Sequence, residues 1–368
     1  MENQMINSLT RSVLKTMKPY SPGKPIWEVQ KELGINEVVK LASNENPLGA
    51  SPKAKEAIVN FLSEIHRYPD ANTTRLREAI GEHYNINEEQ IIIGNGADEL
   101  ITLISETFLE ADDEIIVPSP SFSEYEFGAN LMSAKVVKIL LTEKFEYDLN
   151  SILHAITDKT KLIYLCSPNN PTGTYIKKDA LDHFFKQLPR KVMVVFDDAY
   201  SHFATKEDYT NGIEYVKNGN SIIVIQTFSK VFGLAGVRVG YGISLAEIIN
   251  CIHKVREPFN VNTLAQVAAE AALKDDEHLK ESQRITEEGR NYLYSAFNKL
   301  GISYIESMSN FILVEIGNDA ISVYEQLLQK GIIVRYGNIW GLPNHLRITV
   351  GTESENEAFI KVLSDLIG

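Results

Sequence analysis

The sequence predicts an α/β protein: a large domain on a mostly parallel sheet of seven strands flanked by helices, followed by a smaller α+β domain. Three observations predict it. Seven short β-rich runs fill the middle of the chain, segments with helical spacing lie between several of them, and the pattern changes near Asn262. Parallel strands read as continuous apolar runs because helices cover both faces of their sheet.

Residues 1–40, with "PYSPGKP" among them, read as an arm that packs on the small domain or on a second copy of the chain. Residues 41–270 carry the strands "QIIIGNG", "DEIIVPSPSF", "KVVKILL", "KLIYLCSPNN", "KVMVVFDDAY", "SIIVIQTFSK" and "VRVGYGIS". Segments such as "DELITLISETFLE" and "KDALDHFFKQL" supply the crossovers. From Asn262 to Gly301 helix formers dominate, and this stretch reads as one long buried helix joining the two domains, with Gly301 as its stop. Residues 271–368 then add the short strands "SNFILVEI", "GIIVRY" and "HLRITVG" and a closing helix.

Composition narrows the function. The 368 residues carry 36 basic and 49 acidic side chains, a net charge of −13, which argues against nucleic acid or anionic membranes as partners. Two cysteines, Cys166 and Cys251, leave no disulfide framework and fit a reducing, cytoplasmic setting. The start of the chain has no continuous apolar stretch of signal-peptide type, and no run approaches the ~20 apolar residues of a membrane span. The eight histidines are scattered and form no metal motif.

Open parallel sheets bind ligands beyond the carboxyl ends of their strands, and the unusual residues of this chain gather there. "IIIGNGADE" turns from strand to helix through Gly94 and Gly96, where backbone amides and the helix N-terminus suit an anion. "SPNNPTG" places asparagines in a proline-fixed turn, for which a cis Asn170–Pro171 bond is expected. "KVMVVFDDAY" ends an apolar strand on Asp197 and Asp198. A helix cap is one account of either carboxylate; the other is a cationic partner, since a carboxylate at an apolar strand end is costly without one. In "TFSKVFGLAGVRVG", Lys230 stands among Thr227, Ser229 and Arg238. Hydroxyls, a guanidinium and amides are what a phosphate requires. An amine desolvated near positive charge loses its proton readily and can attack a carbonyl. A ligand with a phosphate, an aldehyde and a ring nitrogen matches these groups, and pyridoxal 5′-phosphate has all three.

With "LASNENPLG", "RYPD", "GNGADE", "SPNNPTG", "DDAY", "TFSKVFGLAGVRVG" and "LRITVG" in this order, the sequence resembles the aspartate-aminotransferase superfamily of pyridoxal-phosphate enzymes, of fold type I. Within it, the chain looks most like the histidinol-phosphate aminotransferases. The resemblance implies that Lys230 joins the cofactor and moves the substrate proton, that Asp197 pairs with the ring nitrogen, and that Asn170 and Tyr200 contact the ring's phenolic oxygen. It implies Phe122 on the ring face, and the amides of Ala97 and Asp98, with Thr227, Ser229 and Arg238, around the phosphate. Tyr68 would reach that phosphate in a neighbouring subunit, so a homodimer is implied.

On the substrate side the resemblance implies Tyr20, Asn46, Arg335 and Arg347, with Arg347 clamping an α-carboxylate and Arg335 and Tyr20 receiving the substrate's phosphate. Many relatives place a proline after that arginine; this chain has Tyr336. The implied reaction takes the amino group of L-histidinol phosphate to 2-oxoglutarate. An aromatic amino-acid aminotransferase and a decarboxylase of a phosphorylated amino acid are the alternatives on this scaffold. A sensor with an added DNA-binding domain is disfavoured, because the "SNENPLG" motif already begins at Ser43 and the charge is acidic.

Overall fold

The computed structural model describes residues 9–17 and 23–367. A short strand, β1 (Val39–Lys40), precedes the seven strands of the large sheet: β2 (Ile91–Gly94), β3 (Glu114–Ser119), β4 (Lys135–Leu140), β5 (Thr160–Cys166), β6 (Met193–Asp197), β7 (Ile222–Thr227) and β8 (Gly240–Ile243). Their spatial order is β2-β8-β7-β6-β5-β3-β4. Only β8 runs against its neighbours, so the carboxyl ends of the other six share one edge. The chain moves outward from β3 to β4 and returns on the far side of β3 as β5. That reversal makes the edge a crevice of the kind that receives ligands.

Every residue of β2, β6 and β7 is buried, which accounts for their continuous apolar sequences. The edge strand β4 is exposed at Lys135, Lys138 and Leu140 instead, and two lysines on an edge discourage further strand pairing. All seven strands read from the sequence are present.

The stretch read as one long helix is two helices, Thr263–Ala272 and Asp276–Leu300. Asp275 stands at the break, 5% exposed, with its carboxylate accepting from Ser51 Oγ at 2.5 Å and from the Lys53 amide at 3.4 Å. An aspartate that meets backbone and hydroxyl donors competes with helix continuation. Its partners lie more than two hundred positions away, so local composition could not reveal the break. Gly301 ends the second helix in the left-handed conformation, φ 68°, as expected. The buried guanidinium of Arg290 then ties this helix to both halves of the molecule, reaching the carbonyls of Phe203, Ser307 and Ser309 at 3.0–3.3 Å.

The remaining strands are β9 (Ser303–Tyr304), β10 (Phe311–Glu315), β11 (Ile332–Ile333), β12 (Arg335–Tyr336) and β13 (His345–Thr349). Four of them form a sheet in the order β12-β13-β10-β9, while β11 pairs in parallel with β1. The register of β12 on β13 sets Arg335 directly opposite Arg347.

Gly233 lets the loop after β7 pass the segment before the first large-domain helix. It has φ 68°, and a Cβ there would lie 2.0 Å from the Gly49 carbonyl oxygen. Gly233→Ala should therefore cost about 1–3 kcal/mol, read as a lower denaturant midpoint with an unchanged m-value.

Candidate active site

The shared edge opens into a cavity of about 270 Å³, lined by the strand ends of the large sheet and by residues of β12, β13 and the turn between them. Of the residues singled out from the sequence, Ala97, Asp98, Phe122, Asn170, Asp197, Tyr200, Thr227, Ser229, Lys230, Arg238, Arg335 and Arg347 all line it.

One end is built for an anion. The helix Ala97–Phe108 begins here behind Gly96, and its first-turn amides have no acceptor within the helix. Arg238 packs against that turn with a left-handed φ of 61°, Nη1 3.4 Å from Ser229 Oγ and Nη2 3.0 Å from Asp98 Oδ2. A non-glycine residue at this φ is held there by its surroundings. The room for it comes from glycine: a Cβ on Gly96 would lie 2.3 Å from Arg238 Nη2, and one on Gly240 2.7 Å from the Ala97 amide. Thr227 Oγ1 accepts from the Ser229 amide at 3.0 Å and fixes the turn that presents both hydroxyls.

The floor is Asp197, 5% exposed. Its carboxylate accepts from the Tyr125 hydroxyl at 2.6 Å and the Ala199 amide at 3.1 Å. Both donors are neutral, and burial pushes the carboxyl above its ordinary range despite them. A cation entering the cavity would remove that penalty.

Lys230 faces the same space. Its Nζ donates to the Ser43 carbonyl at 3.2 Å and lies 5.6 Å from the centre of the Tyr200 ring. Burial, then the charge of Arg347, brings its amine down to about 8. The Tyr200 hydroxyl accepts from Asn44 Nδ2 at 3.0 Å. Arg347 is 5% exposed, its guanidinium 5.1 and 5.0 Å from the ring centres of Phe311 and Trp340. It donates to Asn170 Oδ1 at 2.5 Å and to the Ala42 carbonyl at 2.6 Å. The Asn170–Pro171 bond is cis as expected, and so are Ser119–Pro120 and Ser167–Pro168.

Two residues named from the sequence, Asn46 and Tyr68, are not in the cavity. The structure turns Asn46 away: its amide donates to the Val231 carbonyl at 2.7 Å and Ser282 Oγ at 2.9 Å, and its Oδ1 accepts from Leu48. It braces the loop behind Lys230, while Ser43, Asn44 and Glu45 of the same motif line the cavity. Tyr68 lies outside, 84% exposed and stacked on Phe259 at 4.9 Å. Tyr20 lies outside the described residues. Sequence reasoning missed Asn44, Tyr125 and Trp340. Asn44 was within reach, since it sits two places before Asn46 in a motif already singled out. Tyr125 gave no local signal, because it acts on Asp197, 72 positions along the chain; Trp340 was missed although it lies close before Arg347.

In the cofactor-free chain, the lowered Lys230 amine is half neutral near pH 8. Reaction of this lysine with an amine-directed acylating reagent should rise with pH around that midpoint. An ordinary lysine would follow a midpoint near 10.4. Peptide mapping of the labelled site checks it.

Comparison with known proteins agrees with this geometry. The model of the family "Aminotransferase class I and II" matches residues 36–363. A histidinol-phosphate aminotransferase of Moorella thermoacetica is 49% identical over 97% of this chain and 92% of its own length. Another from Caldicellulosiruptor saccharolyticus is 42% identical over 97% of this chain and 99% of its own. The crystal structure of histidinol-phosphate aminotransferase from Sinorhizobium meliloti in complex with pyridoxal-5′-phosphate superposes with a TM-score of 0.91, at 25% identity over 98% of both chains. A Thermus thermophilus aspartate aminotransferase mutant shares the fold, with a TM-score of 0.85 at 22% identity over 97% of this chain and 99% of that one. With its cavity at the strand ends and a family match across nearly its whole length, the chain belongs to the class I and II aminotransferases.

Proposed function

We propose that this aminotransferase holds pyridoxal 5′-phosphate in the cavity and transfers the amino group of L-histidinol phosphate to 2-oxoglutarate, giving imidazole-acetol phosphate and glutamate. The observation that carries the reading is one cavity holding a desolvated amine at Lys230, a buried carboxylate with only neutral donors at Asp197, and an anion cup at Arg238. The cup would take the phosphate through Thr227, Ser229, Arg238 and the amides of Ala97 and Asp98. Asp197 would face the ring nitrogen, Asn170 and Tyr200 the phenolic oxygen, and Phe122 the ring face. Tyr68 would complete the cup from a second copy of the chain in a homodimer.

When bound, the cofactor supplies an aldehyde that takes up the amino group and a ring that accepts the electron pair of the broken Cα–H bond. The chain's own groups do the rest. Lys230 accepts the Cα proton at Nζ and returns it to the other carbon, a task suited to an amine whose affinity for protons lies near the working pH. Asp197 keeps a positive charge on the floor of the site, where the low dielectric makes it effective. Arg347, packed against Phe311 and Trp340, orients the α-carboxylate of glutamate or 2-oxoglutarate.

The donor needs different recognition, since histidinol phosphate has no α-carboxylate. Arg335 and Arg347 occupy opposed positions on β12 and β13 and both line the cavity. Like charges in such positions repel, and an anionic ligand relieves the repulsion. Arg335, with Tyr20, would receive the donor's phosphate. The reading thus divides the chain into an arm (1–40), a cofactor domain (41–270) and a small domain (271–368) that brings the substrate arginines. No helix among the described residues is long and apolar enough to cross a membrane, and both cysteines are free, in keeping with a place in the cytoplasm.

Steady-state assays with histidinol phosphate, phenylalanine, tyrosine and aspartate as competing donors test the substrate. Histidinol phosphate should dominate in kcat/KM; a phosphate-free aromatic donor that outcompetes it would establish an aromatic aminotransferase instead. Arg335→Glu should lower kcat/KM for histidinol phosphate by about 100-fold or more and leave the glutamate half-reaction within about tenfold. Asp197→Asn should lower kcat by about 100-fold or more for every donor, measured at saturating cofactor.

A further inference from the structure

Asp198 is the second carboxyl of the strand-end pair, and none of the steps above uses it. Successive residues of an extended chain point to opposite sides. Asp197 turns to Tyr125; Asp198 turns the other way and is wholly buried. Gln226 Nε2 donates to its Oδ2 at 2.8 Å and shares its second proton with Ser201 Oγ at 3.0 Å. The Tyr209 hydroxyl lies against Oδ1, and the same hydroxyl lies 3.0 Å from the carbonyl oxygen of Ser167.

That hydroxyl has one proton and two oxygens to meet. A carbonyl oxygen only accepts. An ionised carboxylate also only accepts, so one of the two contacts would set oxygen against oxygen with no proton between them. A proton on Asp198 Oδ1 resolves the conflict. Oδ1–H then donates to Tyr209 Oη, Tyr209 donates to Ser167, and Oδ2 continues to accept from Gln226. The Asp198 carboxyl and the Tyr209 hydroxyl are then each matched donor to acceptor, as a buried network favours.

We infer that Asp198 is held as a neutral carboxylic acid that donates to Tyr209, and that it acts as a positioning residue for Asn170. The link is the turn Ser167-Pro168-Asn169-Asn170. Its first residue is fixed on three sides: the amide donates to the Asp197 carbonyl at 3.0 Å, Oγ accepts from the Ile176 amide at 3.0 Å, and the carbonyl accepts from Tyr209. Burial favours the neutral acid. The titratable groups that bear on it, Asp197, Tyr209, Cys166, Tyr84 and Tyr241, are all acids, whose ionised forms would oppose its own ionisation. Neutrality also spares Asp197 a like charge at the adjacent position. The inference does not depend on which amino donor the enzyme uses.

Infrared difference spectroscopy of the holoenzyme at neutral pH tests it, because a protonated carboxyl has a carbonyl stretch that a carboxylate lacks. One such band should be present in the unsubstituted enzyme, absent in Asp198→Asn, and shifted in Tyr209→Phe, where the acceptor of its proton is gone. Asparagine can donate to Tyr209 and accept from Gln226. Asp198→Asn should therefore recover most of the kcat/KM that Asp198→Leu loses, a loss of about tenfold or more. A spectrum with no band dependent on position 198 or on Tyr209 overturns the inference, and so does Asp198→Asn as impaired as Asp198→Leu. If neither substitution at 198 folds, Tyr209→Phe decides: a shifted band supports the neutral acid, and no band or an unmoved one overturns it.

Discussion

The cavity depends on an electrostatic constraint: the fold desolvates an amine and a carboxylate in the same space and leaves each to be completed by something that enters. The two groups follow from topology. β6 and β7 are adjacent parallel strands with every residue buried, so the residues at and just beyond their ends stand where the apolar core gives way to the crevice. Asp197 ends one strand, and Lys230 follows the other by a short turn. Neither would be tolerated one turn deeper in the core. One turn farther into solvent, neither would be perturbed enough to serve.

Around these two groups the rest of the site is held by fixed geometry. Gly96 admits Arg238 to the start of a helix that Gly240 lets approach its strand, and Arg238 accepts a left-handed backbone to reach it. Arg347 lies against two aromatic rings and is bonded at two of its nitrogens. Its bond to Asn170 joins the small sheet to a turn of the large one, so the guanidinium and the amide are positioned together. Sites built this way are preorganised before their ligands arrive.

Much of this was legible in the sequence because its causes are local. Buried parallel strands give continuous apolar runs, and the residues that break the apolar rule at their ends mark the crevice; Asp197, Thr227 and Lys230 were found that way. The chain was less informative wherever the cause lay far along it. The helix break at Asp275 depends on Ser51 and Lys53, and the hold on Asp197 depends on Tyr125. The choice between Asn44 and Asn46 is instructive. Both are asparagines of one motif, but Asn44 has a left-handed φ of 55° and turns its amide to Tyr200. Residue type alone could not say which of the two faces inward.

The central claim is that the Lys230 amine is the point at which this chain engages a pyridoxal carbonyl. Incubating the purified chain with pyridoxal 5′-phosphate, reducing with borohydride and mapping the peptides tests it most directly. The account predicts yellow absorbance before reduction and one pyridoxyl adduct, on the peptide that contains Lys230. A colourless sample, or an adduct spread over surface lysines with none at position 230, would contradict it.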